Sequence, residues 1–144
     1  MNESTHTEPK LLVNKIRTPD GTILHSISRH DCMMHIDKNG EHYMTDGGFE
    51  YIHRSAGHKE PYTELDVYTD DPHEKIRSSF CWGTRGKDGK SKLEYRVLDT
   101  LSTNHIQAIL ETQHQLRDYI RKVFEDELAY RLTLPAEAQE AYKE

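Results

Sequence analysis

Helical periodicity is confined to the last third of this chain, and everything before it is cut into short pieces by turn chemistry. Leu11 to Arg17 reads as a strand that ends at Thr18-Pro19-Asp20-Gly21. There proline pre-sets φ and glycine accepts the positive φ of a tight reversal. A second strand follows over Thr22 to Ser28. Segments 31–37 and 41–45 flank Lys38-Asn39-Gly40, and Asn-Gly is a strong short-range hairpin signal. Gly47-Gly48 allows a bulge or sharp bend before a strand over Phe49 to His53. A polar loop is expected over 55–64 and a further strand over Leu65 to Tyr68. Asp70-Asp71-Pro72-His73-Glu74 has the pattern of a short helix start, with an Asp cap, Pro in the first turn and acidic neighbours. Phe80 to Arg85 and Leu93 to Leu98 form a second hairpin around a glycine- and lysine-rich tip. Only from Ser102 do apolar residues recur at helical steps. Ile106, Ile109 and Leu110 lie on one face, and after a break near Gln113 come Leu116, Ile120, Val123, Phe124 and Leu128. The expected class is α+β, an N-terminal antiparallel meander followed by C-terminal amphipathic helices.

With 144 residues the chain has the size of one domain, expected over 11–134, with a disordered tail at 1–10 and a polar tail at 135–144. Only 34% of the residues are apolar and 31% are charged. So lean a core suggests that some apolar surface is shared between subunits, and a homo-oligomer is expected. The formal net charge of −6 argues against a general duplex-DNA binder. Two cysteines, Cys32 and Cys81, make no metal-type pair and fit a reduced cytoplasm. The first ten residues hold no apolar stretch of secretory type, and no window is apolar enough to span a membrane.

The second hairpin carries the strongest local departure from that charge. Between Glu74 and Arg96 lie seven basic residues and three acidic ones, interleaved with Phe80, Trp82 and Tyr95. Cations beside aromatic faces suit phosphates and bases, and glycines let the backbone approach a ligand. The commoner outcome for such a hairpin is a solvated loop whose aromatics, Trp82 above all, pack in the core. Arg117 and Arg121 stand four apart on the last helix, a spacing that suits a bidentate phosphate clamp or, more ordinarily, a charged face paired with Asp118 and Glu125. Asn104 at a helix start is placed to offer an amide to a base edge, or simply to support the cap.

Ten histidines invite a metal reading, but His30, Cys32 and His35 alternate across a strand and no HExxH or CxxC is present. No GxSxG or P-loop signature accompanies either cysteine or the Gly-Lys-Asp-Gly tip. Neither a metal, a cofactor nor catalysis is expected.

Several pieces together carry a resemblance. They are Arg17-Thr18-Pro19-Asp20-Gly21-Thr22, Arg29-His30-Asp31, Asp46-Gly47-Gly48, Asp71-Pro72-His73-Glu74, Phe80 to Gly89, Asn104-His105-Ile106 and Glu127-Leu128-Ala129-Tyr130-Arg131. From about Arg17 to Arg131 the chain resembles a family of small tailed-phage proteins, and within it the first type of Thoeris anti-defence protein. That resemblance implies a non-enzymatic sponge in the cytoplasm of an infected host cell. It would bind the cyclic ADP-ribose isomers made by TIR-domain immune enzymes. It also implies dimers or larger oligomers and, in some members, cyclic trinucleotides at a separate site. Carried onto this chain, it assigns Asn104 and Arg121 to adenine or phosphate, with Arg117 beside them. Phe80, Trp82, Arg85 and Tyr95 would line or support the pocket, and Arg29 would mark the separate site. Where many members carry a proline after the position of Gly89, this chain has Ser91-Lys92-Leu93, which leaves the tip geometry open. Two other classes stay open beside the sponge: a small nucleic-acid-binding regulator using the basic hairpin, and an interaction module with no small ligand.

Overall fold

The computed structural model describes residues 8–56, 62–86 and 89–143. Residues 1–7 of the expected tail, the middle of the expected polar loop, and Lys87 and Asp88 of the hairpin tip lie outside the described residues. The chain is α+β, with antiparallel strands first and helices last. It divides into two compact units, Met1–Asp70 and Asp71–Glu144.

The first unit is all strand and turn. β1 (Leu11–Arg17) pairs antiparallel with β2 (Ile23–Ser26), β6 (Thr63–Glu64) and β7 (Val67–Tyr68). Thr18 N–H donates to Thr22 O at 2.9 Å, closing the reversal that Pro19-Asp20-Gly21 predicts. A second sheet runs β3 (Met33–Ile36), β4 (His42–Asp46) and β5 (His53–Ser55). Asn39-Gly40 turns β3 into β4 as expected. The strand expected over Phe49 to His53 does not form, because Glu50 and Tyr51 both donate backbone N–H to Gly47 O and wind that stretch into a turn. Strand structure resumes at His53. Ile16, Leu24 and Tyr43 form the core, with Met33, Ala56 and Tyr62 against it. Asn14, wholly buried, ties the turn to that core. Its amide donates to Asp46 O and Gly48 O at 2.9 and 3.0 Å, and Arg54 donates to its Oδ1 at 2.9 Å.

The second unit begins with α1 (His73–Arg77). Pro72, with extended ψ, occupies the cap position itself, so the expected Asp cap with Pro inside the first turn is displaced by one position. A hairpin of β8 (Cys81–Thr84) and β9 (Glu94–Val97) leads to α2 (Thr103–Thr112), α3 (Asp118–Leu132) and the short α4 (Ala136–Gln139). The break near Gln113 falls where the periodicity lapses. Ile106, Ile109, Ile120, Val123 and Phe124 are all buried within this unit, beside Ile76, Phe80 and Leu98. The stripe therefore builds the unit's own core. Among the described residues no helix is long and apolar enough to cross a membrane.

A buried charge cluster spans the second unit. Glu127, with no exposed surface, accepts from Arg77 (3.0 and 2.9 Å), from Arg131 (2.7 Å) and pairs with His73 at 2.9 Å. The segment read as a polar tail returns Tyr142 to this cluster. Its hydroxyl accepts from Arg77 at 2.7 Å, and its ring lies 4.0 Å from the Arg131 guanidinium.

Candidate functional site

The β8–β9 hairpin and α2 enclose a cleft of about 1230 Å³. Its walls follow from two periodicities. In the hairpin, Trp82 opposes Arg96 and Thr84 opposes Glu94, so strand alternation sets these four on one face. On α2, Asn104, His105, Ala108, Ile109 and Thr112 recur at helical steps and line the facing wall. Arg85 and Lys92, both exposed, complete the rim where the strands part. Three cations thus face one carboxylate in a cleft that also offers an indole and an amide. Ordinary small-molecule pockets measure roughly 300–1,000 Å³, so the space suffices for a nucleotide.

Local hydrogen bonds hold this frame. Ser102 caps α2, its hydroxyl accepting from His105 N–H at 3.1 Å. Thr84 Oγ1 accepts from Gly86 N–H at 3.2 Å and lies 3.4 Å from His105 Nε2, joining strand end to helix start across the cleft. Trp82 meets Phe124 edge-on at 5.1 Å, which fixes the indole from behind while its other side fronts the cleft. Replacing Ser102 with alanine is expected to cost about 1 kcal/mol. Urea titration followed by the fluorescence of Trp82, the chain's single tryptophan, measures it.

The residues singled out from sequence fall into five places. Trp82, Arg85 and Asn104 line the cleft. Phe80 is wholly buried, edge-on to Phe124 at 6.2 Å, and supports Trp82 from the core. Tyr95, 41% exposed, projects from the opposite face of the hairpin and is no part of the cleft wall. Arg117 and Arg121 belong to α3, and neither lines the cleft. Arg121 donates to Leu110 O and Gln113 O at 3.3 and 3.1 Å, closing the otherwise open carbonyls at the end of α2. Arg117 stands at the cap position of α3 and reaches Tyr119 Oη at 3.4 Å. Arg29, in the first unit, sits 3.8 Å from Glu50 in an ion pair. The facing wall of the cleft is therefore α2, where the arginine spacing had pointed to α3.

Thr84, His105, Lys92 and Arg96 line the cleft but were not picked out as site residues by sequence reasoning. Alternation from Trp82 would have found Thr84, since the two share a strand face. His105 is the helical neighbour of Asn104, but nothing in its spacing sets it against the hairpin. Among the described residues no group of three or more His, Cys, Asp or Glu side chains is arranged to hold a metal ion. His35 Nε2 faces both Asp20 and Thr22, at 2.8 and 3.2 Å. A Thr-His-Asp relay would use both ring nitrogens, so this cluster is a turn clasp. Asp20 is held well below the usual carboxylate range, first by the Thr18 hydroxyl and then by His35.

No family model, no curated protein and no solved structure matches this chain.

Proposed function

We propose that this chain binds a phosphorylated nucleotide of the cyclic ADP-ribose type in the cleft between the hairpin and α2, and holds it without cleaving it. One observation carries this reading. Arg85, Lys92 and Arg96, the Trp82 indole and the Asn104 amide converge on a single cleft of nucleotide size. A pyrophosphate takes charge-assisted hydrogen bonds from the three cations. A purine has an aromatic face at Trp82 and an amide at Asn104 for its edge. Two motifs of the resemblance noted above contribute to opposite walls of this cleft, one through Trp82 to Gly86 and the other through Asn104 and His105, which further supports the sponge reading. Sequestration of that kind would take place in the cytoplasm of an infected bacterial cell. It needs affinity and nothing more, so no proton transfer is required of Glu94 or His105.

The test is recovery of ligand. Purified protein is mixed with a cyclic ADP-ribose isomer, freed of unbound ligand, heat-denatured and assayed by mass spectrometry. Intact ligand in stoichiometric amount is the expected result, and cleaved product would show an enzyme instead. Substituting Arg85 or Lys92 by alanine should raise the dissociation constant by roughly tenfold or more, the weight of a charged hydrogen bond. Because both side chains are exposed, the melting temperature of the free protein should stay put. Steeply salt-dependent retention of RNA or single-stranded DNA, with no response to small nucleotides, would replace the sponge with a nucleic-acid binder.

A further inference from the structure

The two walls of the cleft are joined by a short connector that runs from Leu98 to Thr103. β9 ends just before it, and α2 begins with its last residue. Leu98–Thr100 make a single 3-10 turn, Leu98 and Leu101 are buried, and Ser102 caps α2. Leu98 belongs with the hairpin, because its N–H donates to Phe80 O at 2.7 Å. Each connector residue still carries two soft dihedrals, so the angle between hairpin and helix needs a tie from outside.

Arg131, on α3, supplies that tie. Its Nη2 donates to Leu98 O at 3.3 Å and its Nη1 to Thr103 Oγ1 at 3.0 Å. One planar guanidinium therefore grips the end of the hairpin and the start of α2 together. The fork has a fixed shape, so gripping both ends fixes the distance between them. The fork itself is held as well. Its Nε donates to Glu127 at 2.7 Å, the Tyr142 ring centre lies 4.0 Å from the guanidinium carbon, and Arg131 is 3% exposed.

Neutralising Glu127 does not call for the two outer bonds. Arg77 already gives that carboxylate a bidentate pair at 3.0 and 2.9 Å, and Arg131 meets it through Nε alone. What the outer bonds do is hold the connector. Neither Arg131 nor Thr103 lines the cleft, yet the two residues after Thr103, Asn104 and His105, both do. Trp82 and Asn104 stand on opposite walls, so one ligand can reach both only at the right separation. A wall spacing set before the ligand arrives spares the cost of ordering it on binding.

We infer that Arg131 is a positioning residue of the cleft, setting the spread between the β8–β9 hairpin and α2 through Leu98 and Thr103. Its effect on affinity rests on the nucleotide reading of the cleft, and its effect on shape does not. Arg131→Ala would also strip Glu127 of a partner, so the test uses Thr103. Thr103→Val keeps the side-chain shape and deletes the acceptor, whereas Thr103→Ser keeps the hydroxyl. Amide residual dipolar couplings of the isotope-labelled full chain, without nucleotide, give the angle between α2 and the hairpin. They are recorded where circular dichroism shows all three proteins folded. A cyclic ADP-ribose isomer is then titrated by calorimetry at the same temperature. Thr103→Val should tilt or loosen α2 against the hairpin and raise the dissociation constant roughly tenfold. Thr103→Ser should match the wild type in both. An unchanged angle in Thr103→Val, an altered angle with unchanged affinity, or a Thr103→Ser protein that behaves like Thr103→Val would each overturn the inference. A wild type that binds no nucleotide would instead remove the ligand reading, and the couplings alone would then decide whether Arg131 sets the spread of the walls.

Discussion

Glu127→Ala is expected to destabilise the second unit by about 3–5 kcal/mol, the usual cost of stripping one partner from a buried ion pair. The carboxylate has no exposed surface, and Arg131 beside it is only 3% exposed. Removing it leaves Arg77, Arg131 and His73 converging on a void, with two guanidinium groups that nothing neutralises. Glu127→Gln, which keeps the shape and loses the charge, should recover only part of that loss. The same group sets a pH dependence. Burial pushes the Glu127 carboxyl up, but hydrogen bonds from Arg77, Arg131 and His73 together outweigh it and hold the group below its ordinary value. A carboxyl lowered by folding contributes its stability in full above the unfolded pKa of about 4.3. That contribution is lost as pH falls through the lower folded value. The wild type should therefore lose stability below about pH 4 more steeply than Glu127→Gln. Urea titrations read by Trp82 fluorescence across that range make the comparison, since Trp82 packs on Phe124 inside the same unit. A midpoint shift worth under about 1 kcal/mol in Glu127→Ala would mean that water, and not the carboxylate, satisfies the two arginines.

That cluster also shows where sequence reading stopped. The spacing of Glu127 and Arg131 is a plain i, i+4 pair, and on spacing alone it belongs to a solvated helix face. What makes it buried is Arg77, fifty residues away, and Tyr142 from a stretch that reads as a polar tail. Local chemistry was legible because its causes are local: Pro19-Asp20-Gly21, Asn39-Gly40 and the lapse at Gln113 each act within a few residues. The candidate site was half legible for the same reason. Trp82, Arg85 and Asn104 announce themselves by residue type beside a turn or cap. The spacing of Arg117 and Arg121 is equally suggestive, yet their direction depends on how α3 packs against α2. There Arg121 serves the carbonyls of Leu110 and Gln113.

Gly48→Ala should cost the first unit about 4 kcal/mol or more, beyond the range of ordinary point substitutions. Two costs combine. Gly48 has φ +56°, where a Cβ meets the neighbouring carbonyl and costs about 1–2 kcal/mol. In addition, the new Cβ would lie 2.5 Å from the Ser28 carbonyl carbon and 2.8 Å from its Cα and O. These are backbone atoms with no rotamer to change. Nor can Gly48 retreat, because its N–H donates to Ser26 Oγ at 2.9 Å and its carbonyl accepts from buried Asn14 at 3.0 Å. Moving Ser28 instead would pull its carbonyl off Asp31 N–H, at 2.9 Å, and open the turn between β2 and β3. Gly40→Ala separates the two costs, since Gly40 has φ +82° and a methyl there would meet nothing within 4 Å. It should lose only the backbone part. Far-UV circular dichroism in urea reports both variants, with Trp82 fluorescence as an internal check that the second unit is untouched. If Gly48→Ala costs no more than Gly40→Ala, the contact between the Gly47-Gly48 turn and Ser28 is not what fixes the β2–β3 connection, and positive φ alone explains the glycine.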